Sequence, residues 1–439
     1  MKNNTSMTIA FFGVGAVGVV MARVLFELCH KNSLEAPNFV FVVRSHARAL
    51  AHFFRNPELL ERSTFVEAEA FDAVFDAPDA YAQTVGACDV LVNASVPSFN
   101  LPIMKLALAY GAHYGDLASD IYTQALVETQ RFAQQDHANA FEAKGLFGLI
   151  NLGISPGVSN FLIGERIAHF HNLPYETRVK KISIQLLEEI CSKELVFSWA
   201  PHVAIEEISF KPVYIKNHKT KTLTPFSKSK TYAFPYFQNS VEVYPVFQEE
   251  VISLAQSFPQ VPEIRMHVGG NEVELMKNLY QLNLLSNRYC YGYQDSRISI
   301  SSIIKDVIPK MKSPEVIEAY IRNKTIKHAH FCAVADLTLE VRYPNNPKKV
   351  TCTESVGVSF VDLTSLIKTP YSGATYISYP TGIGAGVLLF HALLHAQHHP
   401  LKGVLTTEAL PPLFGPALCD AIKRELGIYK LNLFHAIAS

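Results

Sequence analysis

The chain has 439 residues, 49% of them apolar, with 39 basic and 39 acidic side chains and a formal net charge of zero. That length exceeds one ordinary domain and buries a large core without disulfide staples; the balanced charge removes the electrostatic case for nucleic acid or an anionic membrane as partner. Seven scattered cysteines, an odd number with no C-x-x-C pair, fit free thiols in a reducing, cytoplasmic setting rather than a disulfide framework or a zinc site.

Thr8 to Phe12 is an apolar run of strand length. It is followed by Gly13-Val14-Gly15-Ala16-Val17-Gly18 and a helix-length apolar run to Leu28. This is G-x-G-x-x-G between a strand and a helix. The first glycine allows the tight turn, the second lets backbone approach a pyrophosphate, and the third lets helix pack on strand. The helix N-terminus then offers free N–H groups to the phosphates. Lys2 ahead of an apolar run also has the layout of a signal peptide, but Phe39 to Val43 follows as a second strand, which favours the dinucleotide site. Arg23 interrupts the run before the ~20 apolar residues that a membrane span needs.

Phe39 to Val43 ends in Arg44-Ser45 with Arg48 one turn on, and no acid stands there to bond a ribose 2′-hydroxyl. An arginine at this strand end accommodates a 2′-phosphate, so NADP(H) is expected over NAD(H). A third strand is predicted near Glu58 to Val66 and a helix over Asp79 to Gly86. Cys88 to Ser95 reads as a buried strand whose end, Asn93-Ala94-Ser95, falls in the ligand crevice. A helix over Leu101 to Tyr110 stops at Gly111, and His113 to Leu117 is a short strand. Asp116, with Ser119 and Asp120, falls at its end. Ile121 to Ala143 is predicted as a long helix and Gly145 to Leu152 as a strand. Strands alternating with helices predict an α/β doubly wound Rossmann domain over residues 1–157.

Lys180–Glu188, Glu206–Lys216, Val241–Val246 and Glu263–Val268 are strand-like, as are His330–Tyr343 and Lys349–Val361, joined by an Asn345-Asn346-Pro347 turn. Lys305 to Lys324 is helical in pattern. This predicts a second α+β domain with an open mixed or antiparallel sheet over 158–367, and a segment 368–439 that returns to the first domain. The predicted cleft between the domains is where ligands sit. His391 and His395, with His398 and His399 beyond, are the one metal-like spacing. They lack a supporting glutamate and a third ligand, so an exposed helix end is expected and no metal.

From Ser155-Pro156-Gly157-Val158-Ser159-Asn160 onward the chain resembles the saccharopine dehydrogenase family, including carboxynorspermidine dehydrogenases. Its D-P-G-x-[ST]-N turn is matched with Ser155 in place of aspartate. Asp89 to Asp116, Gly269 to Leu285 and Gly382 to Gly427 resemble further family stretches in the same order, and Phe197-Ser198-Trp199-Ala200-Pro201 is kept. Glu188 to Ser192 departs from the family's glycine-rich stretch. The resemblance implies reduction of an imine to a secondary amine by hydride from NADPH, a homodimer, and a small amino-acid-like substrate. Asp116 is the candidate acid or base, with Tyr114 and His202 behind it; the alternative for Asp116 is a helix cap. Ser155, Pro156 and Gly157 join the cofactor side. Arg265, Arg288 and Arg297 are candidates for clamping substrate carboxylates. Two other functions compete: a non-catalytic NAD(P)-binding sensor of the same fold, and a reductase for a larger apolar carbonyl compound.

Overall fold

The computed structural model of the chain describes residues 6–68, 70–119, 131–198, 201, 205, 210–285, 290–293, 296–309, 311–344 and 348–438. Strands β1 (Thr8–Phe12), β2 (Asn38–Val43), β3 (Ser63–Glu67), β4 (Val90–Asn93), β5 (His113–Asp116) and β6 (Phe147–Ile150) form one parallel sheet. The order is β3-β2-β1-β4-β5-β6. It reverses at β1, so the carboxyl ends of β1 and β4 flank the topological switch where such sheets bind ligands. β1, β2, β4 and β6 are short and mainly apolar because both faces are covered. Phe11, Phe41 and Phe65 stack across three of them, at 5.4 and 5.6 Å between rings.

The second sheet is built from β7 (Glu176–Ser192), β8 (Val213–Lys216), β9 (Lys219–Thr222), β10 (Lys230–Ala233), β11 (Ser240–Tyr244) and β12 (Glu263–Gly269). A separate hairpin, β13 (Cys290–Tyr293) with β14 (Ser296–Ser299), follows, and then the long strands β15 (Ile326–Arg342) and β16 (Val350–Phe360). The sheet is mixed: β7 pairs with β12 in parallel and with β15 antiparallel. Side chains alternate across it. Leu186 and Glu188 of β7, Val268 of β12 and Phe331 of β15 face the first domain, while Leu187, Cys332 and Val334 form a small cluster on the opposite face.

The C-terminal segment divides between the two sheets. Its helix Ser378–Ala396 lies on the first helix, Ala16–Lys31, and β17 (Gly403–Thr406) extends the parallel sheet beyond β6. After the helix Leu410–Ile428, β18 (Asn432–Ala438) instead pairs antiparallel with β16. Thus only part of 368–439 rejoins the first domain.

Several predicted elements are shorter than the sequence suggests. The predicted helix over 79–86 is helical only at Pro78–Tyr81, and the 305–324 stretch is two helices, Ile300–Val307 and Pro314–Arg322, parted around Pro309, with Pro314 as the first residue of the second. Only Val213–Lys216 of the 206–216 run is strand, with 206–209 outside the described residues. Of the predicted 121–143 helix, 133–137 is a 3-10 turn and 138–143 helical; residues 120–130 are outside the described set, as is the 345–347 turn. Among the described residues no helix is long and apolar enough to cross a membrane.

Candidate active site

β1 runs into the glycine turn, and Gly13 N–H closes it by donating to Val42 O at 3.0 Å. Gly13 has a φ of +93°, and a Cβ there would lie 3.1 Å from Ala94 O. Side chains are excluded at this position by both conformation and space. Gly18 packs its helix on the β4 end, where an added Cβ would lie 3.4 Å from Ala94 Cβ. At Gly15 the surroundings differ: an added Cβ would meet nothing within 4 Å. Gly15 is also the N-cap of the first helix, with no side chain capping the N–H groups behind it. An open approach, free donors and a helix dipole end are what a pyrophosphate requires. The local fit to a dinucleotide is therefore good.

Arg44 stands exposed at the carboxyl end of β2, with Ser45 capping the next turn through Arg48 N–H. Between the carboxyl ends of the first sheet and the inner face of the second lies a cavity of about 380 Å³. Gly15, Ala16, Val17, Ala94 and Ser95 line its first-domain side, with Ser155 and Pro156 beside them. Gly157 sits just behind. Its φ is +138° and a Cβ would fall 1.8 Å from Gly153 O, so only glycine closes that loop. Val14 packs on the core next to the turn.

The structure takes other predicted site residues away from this cavity. Asn93 is buried and spends its side chain on the loop after β4: it donates to Val96 O and Asn100 Oδ1 and accepts from Ser95 N–H. Asp116 and Tyr114 are fully buried and do not line the cavity. Asp116 accepts from Asn151 N–H at 2.9 Å, Tyr114 Oη at 3.0 Å and Gln134 Nε2 at 3.2 Å. Gln134 continues to Ser119, and Ser119 to Asn151. Burial pushes the Asp116 carboxyl up to about 7, and those three donors only partly offset it. Asp116 thus ties β5 to the residue after β6 and to the 131–137 turn, and it does not line the cavity.

His202, Asp120 and Arg288 lie outside the described residues. Arg265 is on the far face of β12, paired with Glu263 and stacked over Tyr214 at 5.2 Å, and does not line the cavity; the backbone of Arg297 is on β14. Among the described residues no three histidine, cysteine or carboxylate groups come together as metal ligands. His391 is buried, and His395 stacks on His399 at 4.8 Å.

What the second domain brings to the cavity is mainly apolar surface and three glutamates, Glu188, Glu249 and Glu272; no lysine, arginine or histidine is among the described lining residues. Glu272 is oriented by Tyr376 Oη at 2.8 Å and Ser198 Oγ at 3.1 Å. Burial raises its carboxyl to about 7 against those hydrogen bonds. Among the described residues Glu188 accepts no such side-chain hydrogen bond. Burial, then Glu272 and Glu250, push it up to about 8. Glu249 and its neighbour Glu250 are also raised, first by burial and for Glu249 next by the adjoining carboxylate. Ser155, standing where the family turn has aspartate, donates to Glu250 at 2.7 Å. Periodicity missed these glutamates, although acids set in apolar runs, as in Leu186-Leu187-Glu188 and Glu250-Val251-Ile252, are a signal that burial has a purpose.

Residues 9–146 match the family model described as the saccharopine dehydrogenase NADP binding domain. Residues 9–146 thus form an NADP-binding domain like that of the saccharopine dehydrogenase family. With that domain the chain has the cofactor half of an NAD(P)-dependent oxidoreductase. The whole chain also shares its fold with apo saccharopine dehydrogenase (L-Glu forming) from Saccharomyces cerevisiae, at 12% identity and a TM-score of 0.66, covering 99% of this chain and 100% of that one. Myo-inositol dehydrogenase from Corynebacterium glutamicum (10% identity, TM-score 0.37, 98% and 99% covered) and biliverdin reductase from Synechocystis sp. PCC 6803 (12%, 0.36, 96% and 100%) are too distant in shape to carry an argument. No curated protein matches the chain in sequence.

Proposed function

We propose that the protein is an NADPH-dependent reductase of a carbon–nitrogen double bond, forming a secondary amine from an imine of amino-acid or amine origin. The observation that carries this is the opposition of two walls across one cavity: the open helix N-terminus at Gly15 on one side and protonatable carboxyls on the other. Bound there, the dinucleotide supplies the hydride. Gly13, Gly15 and Gly18 admit its pyrophosphate, Val14, Ala16 and Val17 present backbone around it, and Arg44 with Ser45 meets the 2′-phosphate. Ala94, Ser95, Ser155 and Pro156 border the reacting end.

The nitrogen takes a proton as the carbon takes hydride. Glu272 is the donor in this proposal. It lines the cavity, two hydrogen bonds fix its direction, and it holds a proton near neutral pH. Asp116 keeps a structural place beneath. The apolar share of the lining also suits the second reading, a reductase for a larger apolar carbonyl compound; buried carboxyls with no cation beside them suit it less well.

The test is NADPH oxidation with a panel of amines, each offered with aldehydes and 2-oxo acids, against the carbonyl compounds alone. Consumption only when both partners are present supports the imine reaction, and consumption with carbonyl alone overturns it. Glu272→Gln is expected to lower kcat by roughly 10²-fold or more, the contribution usual for a positioned acid, with NADPH affinity unchanged.

A further inference from the structure

The far face of the second sheet holds a cluster of charge that the cavity does not share. β10 is not a neighbour of β7 or β15 in the sheet, yet its side chains reach both. Lys230 Nζ lies 3.4 Å from Ser183 Oγ of β7, and Tyr232 Oη donates to Asp336 of β15 at 3.2 Å. The β10–β11 hairpin therefore curls over this face, with Phe234 closing it against Leu187, Cys332 and Val334. Beneath the hairpin, the parallel register sets Arg265 beside Ser183 and His267 beside Gln185. Alternation turns these four away from the cavity, because the next residues along, Leu186 and Val268, line it.

Three cations converge here, Lys181 from β7, Lys230 from β10 and Arg265 from β12, and two carboxylates answer them. Glu263 lies 3.0 Å from Lys181 and 2.8 Å from Arg265. Asp336 accepts from Tyr232 and, at 2.7 Å, from Ser355 Oγ. Among the described residues no carboxylate is in ion-pair contact with Lys230. Its ammonium rests on neutral oxygens: Ser183 Oγ and, in the amide orientation that satisfies both ends of Gln185, the Gln185 oxygen at 2.7 Å. One positive charge is thus in excess. Two polar atoms of the cluster are also buried without a hydrogen bond. His267 is 8% exposed and its Nδ1 has no partner, and Arg265 Nε is near Glu263 but not aligned to donate to it. Unpaired buried donors beside uncompensated positive charge call for an acceptor that carries negative charge. Burial first, and then Lys230, Arg265 and Lys181, push the His267 ring down to about 4, so it is a neutral N–H donor at pH 7.

We infer that this face binds a phosphoryl group, its oxygens accepting from Lys230, Arg265 and His267, with Lys181 adding charge at the rim. Three strands supply the donors from three directions, which suits the several oxygens of a tetrahedral oxyanion better than the two of a carboxylate. The Lys181 and Arg265 side chains are about a third exposed, 37% and 34%, so the ligand enters from solvent between them. The site lies on the opposite side of β7 and β12 from the proposed reaction and does not depend on it.

The test is calorimetric titration of the full chain with inorganic phosphate, glycerol 3-phosphate and acetate, at constant ionic strength set with chloride. The protein is first saturated with NADP⁺, so that the glycine turn is filled and does not report. One saturable site is expected, with phosphate or the monoester bound at least ten-fold more tightly than acetate. Lys230→Met is expected to weaken it by ten-fold or more and Lys181→Met, at a more exposed position, by at least three-fold, both with NADP⁺ affinity kept. Lys219→Met, exposed on the neighbouring β9, is expected to change nothing. Tighter binding of the monoester assigns the site to the phosphate end of a larger metabolite, and tighter binding of the free ion assigns it to phosphate itself; both support it. No saturable binding to the wild type, acetate bound as well as phosphate, or equal losses from Lys219→Met and Lys230→Met overturns the inference. The wild-type selectivity and Lys181→Met decide it even where Lys230→Met does not fold.

Discussion

Gly15 and Gly13 are two residues apart and differ in what they forbid. Gly13 is held at positive φ with backbone 3.1 Å from any added Cβ, whereas Gly15 has φ −105° and open space. Gly15→Ala is therefore expected to fold with its melting temperature unchanged while NADPH affinity falls by at least ten-fold, because the methyl group occupies phosphate space; paired thermal melts and a fluorescence titration check both halves. Arg44 has no ion pair among the described residues, so its charge is available to a ligand. Arg44→Ala is expected to abolish a preference for NADPH over NADH, seen as converging dissociation constants for the two nucleotides. Unequal constants in the variant would leave the preference to some other residue.

Among the elements, the helices Ala16–Lys31 and Ser378–Ala396 are the joint between the cofactor turn and the returning C-terminal segment. They approach closely because Gly382 and Gly386 face Val20 and Val24; a Cβ at Gly382 would fall 2.6 Å from Val20 Cβ and 2.9 Å from Val17 O. Backbone cannot give way there as a flexible side chain would. Gly382→Ala is expected to cost about 1–3 kcal/mol through overpacking, and to disturb nucleotide binding because Val17 lies in the first turn of the phosphate-facing helix. Gly427, exposed at the end of the 410–428 helix with nothing within 4 Å, supplies the contrast. Gly427→Ala is expected to gain roughly 0.4–1 kcal/mol by restricting the unfolded chain. Guanidinium denaturation of the two variants reads the difference directly.

Across the whole molecule, stability and pH are linked through the buried acids. Asp116 and Glu272 are raised to about 7, and Glu188 from 4.5 to about 8, all primarily by burial. The folded protein thus holds protons that the unfolded chain has released. The stability they confer is full below the unfolded values and is lost as pH rises through 7 to 8. Thermal unfolding of the nucleotide-free protein should therefore come at falling temperatures from pH 5 to pH 8.5. Glu188→Gln should stabilise it at pH 8.5, by on the order of 1–3 kcal/mol after allowance for relaxation and water, with little effect at pH 5. Melting temperatures flat across this range would mean that these carboxyls are ionised and solvated.

The first half of the molecule follows from local sequence. An apolar strand, three glycines at fixed spacing and an amphipathic helix each need only their immediate neighbours, so the Rossmann domain, the turn that admits phosphate and the basic end of β2 are legible as text. The second half is legible as strands, because alternation marks β7, β15 and β16, but not as a mixed sheet, since the parallel pairing of β7 with β12 joins residues about eighty positions apart. Motif spacing picks out Asp116, yet the packing of β5 against β6 encloses it. Glu188, Glu249 and Glu272 come from three different elements and meet only when the second sheet folds over the first. A charge's cost and use depend on what surrounds it. For these residues the surroundings are assembled by tertiary structure, and so the nucleotide half of the site belongs to the sequence and the substrate half to the fold.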